Sequence, residues 1–343
     1  MRFACILMVV LLHTVQPDCN MGDKLSYYLI LGVHSLSRIA VPFFFFVSGY
    51  FFFNGFDDRW DWQLWLKKLK SRFKSLFLPY VIWNVLAALY FVFPLFVGKH
   101  REGFSGLPAW LSVHGGPLGF LWYDPVYEGP INMPLWFLRD LMVMCIISPL
   151  FYGAIKIMRK WGIVFISCFL ISNFYSGYTG FSRVAVLFFM GGAYFSLNKI
   201  NPFDCISKYK SLIYLIALLL LGSMVAIGGE KSLFYIYIQH IYEVIGVCAF
   251  FNLALQMNSS KTSFSGAWLL KTVFWVYASH IIILRTRSFH AFENAIIPFL
   301  NFIGGHFCYY VVVTGVLIIC CILLYTIMNK CSKKLLVFLC GGR

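Results

Sequence analysis

Long apolar runs recur along the whole of this 343-residue chain, and few charges interrupt them. Hydrophobic residues make up 60% of the sequence and charged residues only 12%, about half the charged fraction of a typical soluble domain. Because backbone amides cannot stay unpaired in lipid, apolar segments of this kind cross a bilayer as helices. The sequence therefore predicts an all-α integral membrane protein.

The apolar runs predict about ten transmembrane helices, of which the first is short. They cover residues 3–16, 37–55, 76–97, 135–155, 162–176, 184–198, 211–228, 233–256, 268–284 and 309–328. A bilayer core takes about 20 helical residues, so several of these runs are near the lower limit.

The basic residues indicate the direction of these helices. If the N-terminus is cytoplasmic, the inward loops and the C-terminal tail collect most of the 28 Lys and Arg residues. Cytoplasmic loops carry this excess in membrane proteins, which explains the net charge of +15 without a nucleic-acid partner. Both termini are therefore expected to be cytoplasmic.

The chain is expected to form one transmembrane domain over residues 1–335, followed by a short cytoplasmic tail, 336–343. The longest outer segment, residues 98–134, is rich in Gly, Pro and aromatic residues and predicts an ordered outer loop that binds substrate. A rival interpretation makes residues 1–19 a secretory signal peptide. A histidine inside the apolar run and the missing small-residue cleavage site disfavour it.

The first helix, RFACILMVVLLH, carries Arg2 near its start and His13 near its end. The two side chains are about 16 Å apart along a helix axis, which is roughly half of the bilayer core. Ionisable groups are costly inside lipid and usually serve function there. A histidine can take a proton from a hydroxyl near neutral pH, so His13 is a candidate general base.

Other polar residues are expected at the same outer depth on three further helices. Arg139, Asp140 and His280 are candidate substrate-binding residues, and His240 lies at similar depth. Buried polar pairing is the alternative for His240 and His280. The acid that would orient His13 stays open at this point, because Asp140, Asp124 and Glu128 are all candidates.

A basic amphipathic stretch, DWQLWLKKLKSRFKSLFLPY, follows the second predicted helix on the inner side. A polyphosphate ligand could bind here to Lys70, Arg72 and Lys74. Ser48 lies on the preceding helix, where small side chains would let a thin ligand pass. The alternatives are an interfacial helix that rests on anionic lipid and simple helix packing around Ser48 and Gly49. No Cys or His spacing indicates a metal site.

Six short motifs in order resemble the acyltransferase family 3 membrane proteins over nearly the whole chain. They are the Arg and His of the first helix, VPFFFFVSGYFF, KSRFKSLFLPY, PLWFLRDL, FFMGGAYF and VYASHIIIL. The very short segment before Arg2 departs from the family, whose members usually have residues before this arginine.

The resemblance implies an O-acyltransferase of the bacterial inner membrane, with His13 and Arg2 as the catalytic pair. It implies acetyl-CoA or a related acyl-CoA as the cytoplasmic donor, and a carbohydrate or glycolipid hydroxyl on the outer side as acceptor. No metal and no nucleic acid are expected. Two other functions stay open: a transporter that exports a polysaccharide or small solute, and a sensor or scaffold.

Overall fold

The computed structural model describes residues 1–18, 23–57, 59–96, 107–126, 128–171, 179–228, 232–259 and 267–342. Helices α1–α16 are Arg2–Thr14, Lys24–Ser37, Ala40–Phe53, Trp62–Arg72, Leu78–Phe96, Leu107–Val113, Gly116–Gly119, Trp136–Ile146, Ser148–Ile171, Arg183–Leu197, Pro202–Ser207, Lys210–Ala226, Leu233–Ser259, Ala267–Leu284, Arg287–Cys331 and Lys333–Leu339. A π-helical turn, Phe73–Phe77, joins α4 to α5, and a 3₁₀ turn, Met133–Leu135, precedes α8.

By length and composition, four helical stretches within these ranges can cross a membrane: Lys24–Phe53, Trp62–Phe93, Leu233–Met257 and Gly305–Cys331. Two bent pairs, Met133–Ile146 with Ser148–Arg159 and Trp268–Leu284 with Arg287–Leu300, raise the number to six if each pair is one span. Helices α1, α10 and α12 are apolar but shorter. The helical membrane class is thus confirmed, whereas ten spans and their direction stay predictions.

The second span begins earlier than the sequence predicted. Its helical stretch starts at Lys24 rather than at residue 37 and turns only slightly at Arg38. Asp23 caps this stretch by accepting hydrogen bonds from Ser26 and the Leu25 N–H, and the bonds from Ser26 lower the pKa of the Asp23 carboxyl. The predicted start was wrong because buried polar residues such as His34 dilute the apolar run.

Two more helical segments lie where the sequence indicated a loop and a tail. Arg287–Leu300 is a helix inclined at 73° to the helix before it. At the C-terminus, α16 packs against α5, where the Trp83 indole N–H donates to the Leu339 carbonyl at 3.0 Å. Leu336 and Leu339 are buried. The first part of the expected tail is therefore docked on the bundle.

Helices α3 and α10 cross at two glycines. A Cβ at Gly49 would overlap the Phe189 carbonyl oxygen, and a Cβ at Gly192 would lie 2.6 Å from the Tyr50 nitrogen. The absence of side chains lets the two backbones approach this closely. Gly49 thus serves helix packing, which is the alternative that the sequence had left open for Ser48 and Gly49.

Candidate active site

Three helices place histidines around the end of α1. His13 is half-buried in the last turn of α1, and His280 on α14 is completely buried. Their ring centroids lie 5.6 Å apart, with the rings inclined at 35°. The third histidine, His34 on α2, lies beside the ring of Tyr310, whose hydroxyl bonds to α1. His13 and His280 thus come together from separate helices, and the membrane depth that the sequence predicts for them stays a prediction.

Helix α1 ends directly after His13. The Thr14 hydroxyl donates to the Val10 carbonyl at 2.8 Å, and Val15 is extended, so the helix stops there. The last carbonyls of a helix carry partial negative charge, which stabilises a cation in the final turn. His13 therefore stands where an imidazolium, once formed, is stabilised by its own helix.

The sequence analysis did not identify His34, which lies on α2 in the segment first assigned to a loop. Its side chain is buried, and its ring lies 5.9 Å from that of Tyr310. The Tyr310 hydroxyl donates to the Leu11 carbonyl at 3.0 Å, which ties this group to α1. A histidine within the apolar stretch YLILGVHSL was the signal that could have found it.

Arg2 stands at the opposite end of α1 from His13. It is exposed in the first turn. One short helix therefore presents a cation at one end and an imidazole at the other, about 16 Å apart by helical rise. The catalytic roles of both residues stay predictions.

Arg139 and Asp140 form a buried ion pair at the start of α8. The Arg139 Nη2 lies 2.9 Å from Asp140 Oδ1, and the two side chains are 5% and 0% exposed. Arg139 Nη1 also donates to the Trp122 carbonyl at 2.5 Å, and Asp140 Oδ2 accepts from the Ser182 N–H at 3.2 Å. The pair joins the segment after α7 to the start of α10, and its predicted contact with substrate stays a prediction.

The segment between α6 and α8 contains a second buried pair. His114 Nδ1 lies 2.7 Å from Asp124 Oδ2, and the His114 ring stacks on Trp110 with centroids 3.8 Å apart. Glu128 is exposed in the same loop. Asp124 and Asp140, two of the acids considered for His13, are thus hydrogen-bonded to other residues. Residues 98–106 and 127 of the predicted outer loop lie outside the described ranges, and the order of this loop stays a prediction.

The predicted polyphosphate residues lie around the π-helical turn between α4 and α5. Lys70 and Lys74 are exposed, and Arg72 is half-buried. Pro79 has no N–H to donate within the helix. The turn before it is a π-helical turn, in which the Leu78 N–H donates to the Phe73 carbonyl.

Two neighbours of this basic segment have structural contacts. The Lys68 ammonium donates to the Phe52 and Asn54 carbonyls at 2.6 and 2.5 Å and so caps α3. Ser48 is half-buried beside Gly49 in the α3–α10 crossing. The role of Ser48 in donor binding stays a prediction.

A cavity of about 760 Å³ lies elsewhere, between α9 and α10. Lys156, Arg159, Trp161 and Asn198 are among its lining residues. Arg159 has φ of 47° and ψ of −132°, which kinks α9 there. This group of cations was not singled out as a ligand site from the sequence.

No cluster of His, Cys, Asp or Glu side chains suited to a metal occurs within the described ranges.

The fold and the site define a helical, multi-pass membrane protein with a histidine pair at the end of its first helix. The chain belongs to the family described as "Acyltransferase domain", whose model matches residues 1–339. This match confirms the family to which the six motifs pointed.

The chain is also similar to the succinoglycan biosynthesis protein ExoH of Rhizobium meliloti (strain 1021). The two are 28% identical over 208 residues, which span 59% of this chain and 54% of the relative. The matched part is thus about half the length of that protein. No solved structure matches the chain significantly.

Proposed function

We propose that this protein is a membrane O-acyltransferase that moves an acetyl group from cytoplasmic acetyl-CoA to a hydroxyl of a cell-surface carbohydrate. The observation that carries the proposal is the position of His13, in the last turn of a short helix, against His280 and opposite Arg2. Membership of the acyltransferase family supports the reaction class.

The reaction needs one base and one thioester. His13 takes the proton of the acceptor hydroxyl while the hydroxyl oxygen attacks the thioester carbonyl carbon. The tetrahedral intermediate collapses as its C–S bond breaks, and the departing thiolate takes the proton from the imidazolium. The products are the acyl ester and free CoA, so His13 returns to its neutral form.

We infer that the donor and the acceptor bind at opposite ends of the helical bundle. Asp140 and the Ser182 N–H meet at one end of α8 and α10, and Lys199 lies 3.6 Å from Asp57 at the other end of α10. The second end is the end that carries the basic residues, which cytoplasmic surfaces favour. We place the donor there, with Lys70, Arg72 and Lys74 on its phosphates and Ser48 beside its thin arm.

The acceptor is a carbohydrate on the outer side, in a polysaccharide or on a glycolipid. The support is the name of the relative, which describes succinoglycan biosynthesis, together with the outer loop that α8 and α10 hold in place. Arg139, Asp140 and His280 lie on the helices that border this side.

A comparison of surface glycans tests the function. Mass spectrometry of glycans from cells with and without the gene should differ by one acetyl group per modified unit. Identical glycans would contradict the proposal. The rival function, an exporter, predicts no binding of CoA, so a rise in melting temperature with CoA supports the enzyme and its absence supports the exporter.

A further inference from the structure

We propose that His280 positions His13: its Nε2 accepts a hydrogen bond from a ring N–H of His13. This inference rests on the proposed role of His13 as the base. It gives His280 a contact with the base in place of the predicted contact with substrate.

The first step is the proton on His280. Its Nδ1 lies 3.1 Å from the Val276 carbonyl oxygen. A carbonyl can only accept, so Nδ1 carries the hydrogen. The ring is completely buried, and a second proton would place a charge there. His280 is therefore neutral, and its Nε2 is a bare acceptor.

The second step is the donor that Nε2 requires. This atom is buried and has no hydrogen-bond partner in the described part of the chain. A buried acceptor without a donor is unfavourable, because it has lost its hydrogen bonds to water. Nearby hydroxyls of α14 are already used, because Ser279 donates to the Trp275 carbonyl and Tyr277 to the Pro134 carbonyl.

The third step is the distance to His13. Each ring nitrogen lies about 1.1 Å from its centroid, so with centroids 5.6 Å apart two facing nitrogens are about 3.4 Å apart, and a shift of His13 by a few tenths of an ångström brings them within hydrogen-bond distance. Asp140, the obvious acid in the sequence, is bonded to Arg139 and the Ser182 N–H. A histidine thus stands where many hydrolases place a carboxylate.

The contact would fix the tautomer of His13. Its hydrogen lies on the nitrogen that faces His280, so its other nitrogen is bare and can take the hydroxyl proton. After the transfer, the imidazolium keeps the hydrogen bond to His280. The role of His280 is therefore to orient His13 and to stabilise its charged form.

Two substitutions of His280 by amide residues, Gln and Asn, distinguish this positioning role from simple packing. In His280→Gln, the side-chain oxygen can reach the position of Nε2 and accept the hydrogen bond. In His280→Asn, the shorter amide reaches only the Nδ1 position. The assay measures the transfer of radiolabelled acetyl from acetyl-CoA to glycan in membrane vesicles. We expect His280→Gln to keep most of this activity. We expect His280→Asn to lower kcat about 10- to 100-fold with KM for acetyl-CoA unchanged. Equal losses in the two variants, or a wild-type rate in His280→Asn, would overturn the inference.

A double variant tests whether His280 acts through His13. In the His13→Ala background, His280→Asn should cause no further loss, and a further loss would contradict the inference. If His13→Ala keeps the wild-type rate, the proposed base is wrong. If His13→Ala is inactive but His280→Asn is not, only the role of His280 is wrong.

A measurement on protein with His280 unchanged tests the contact even if the His280 variants misfold. In ¹⁵N-histidine NMR of the detergent-solubilised protein, the Nε2 resonance of His280 should report a bare nitrogen that accepts a hydrogen bond. Replacement of His13 by Ala should move this resonance toward the value of a free acceptor. A protonated Nε2, or no change on replacement, would refute the contact.

Discussion

The rings of His13 and His280 lie 5.6 Å apart between centroids, although one belongs to the first helix and the other to α14, near the far end of the chain. Helix α2 adds His34, whose ring lies 5.9 Å from that of Tyr310, and the Tyr310 hydroxyl donates to the Leu11 carbonyl of α1. The site therefore exists only when the two ends of the chain pack together.

Replacement of His13 by Ala should lower the rate of acylation strongly and leave a measurable residual rate. A general base contributes about 10²- to 10⁴-fold to a rate, and no other ring stands in the last turn of α1. Acetyl transfer to glycan is measured at equal amounts of membrane-inserted protein. His290→Ala is the matched control, because this exposed histidine pairs with Glu293 outside the group, and it should keep activity. Wild-type acylation in His13→Ala would exclude the role of base.

Replacement of Gly49 by Ala should lower the melting temperature of the detergent-solubilised protein. The added methyl group would overlap the Phe189 backbone, and two packed helices cannot both stay in place. Gly222→Ala on α12 is the control, since nothing lies within 4 Å of the added carbon. Alanine also favours helix over glycine by about 1 kcal/mol, so the control should not be less stable. Equal melting temperatures for Gly49→Ala and wild type would refute the close crossing.

Removal of one partner of the Arg139–Asp140 pair should destabilise the protein by about 3–5 kcal/mol, because the other charge remains buried and unpaired. Arg139→Met and Asp140→Leu are the single variants, and the double variant should be more stable than either. Chemical unfolding of the purified protein measures the three. A double variant as unstable as the sum of the singles would show that the two side chains do not act as a pair.

Removal of positive charge around the π-helical turn should raise KM for acetyl-CoA. The triple variant Lys70→Ala, Arg72→Ala, Lys74→Ala removes the proposed phosphate contacts, and each charge-assisted contact is worth about 1.5–3 kcal/mol. The matched control is Lys156→Ala with Arg159→Ala in the cavity beside α10, which should leave KM unchanged. If only the control raises KM, the donor binds in that cavity and the predicted cradle is wrong.

The sequence by itself determined the class of the protein and the positions of Arg2 and His13 at the two ends of α1. Apolar runs dictate helices wherever lipid replaces water, and the spacing of Arg2 and His13 on one helix follows from helical rise alone. The sequence analysis missed α2 and started the second span at residue 37, since the buried serines and His34 of α2 look polar in a window of sequence. Their neighbours in the folded bundle make them interior residues.

Only the tertiary structure decided which groups meet. Asp140 was a candidate partner of His13 in the sequence, but packing of α8 against α10 gives it Arg139 and the Ser182 N–H instead. The neighbour of His13 is His280, which comes from α14. Contacts between helices far apart in the chain depend on how the whole bundle packs, and the periodicity of a single helix carries no information about them.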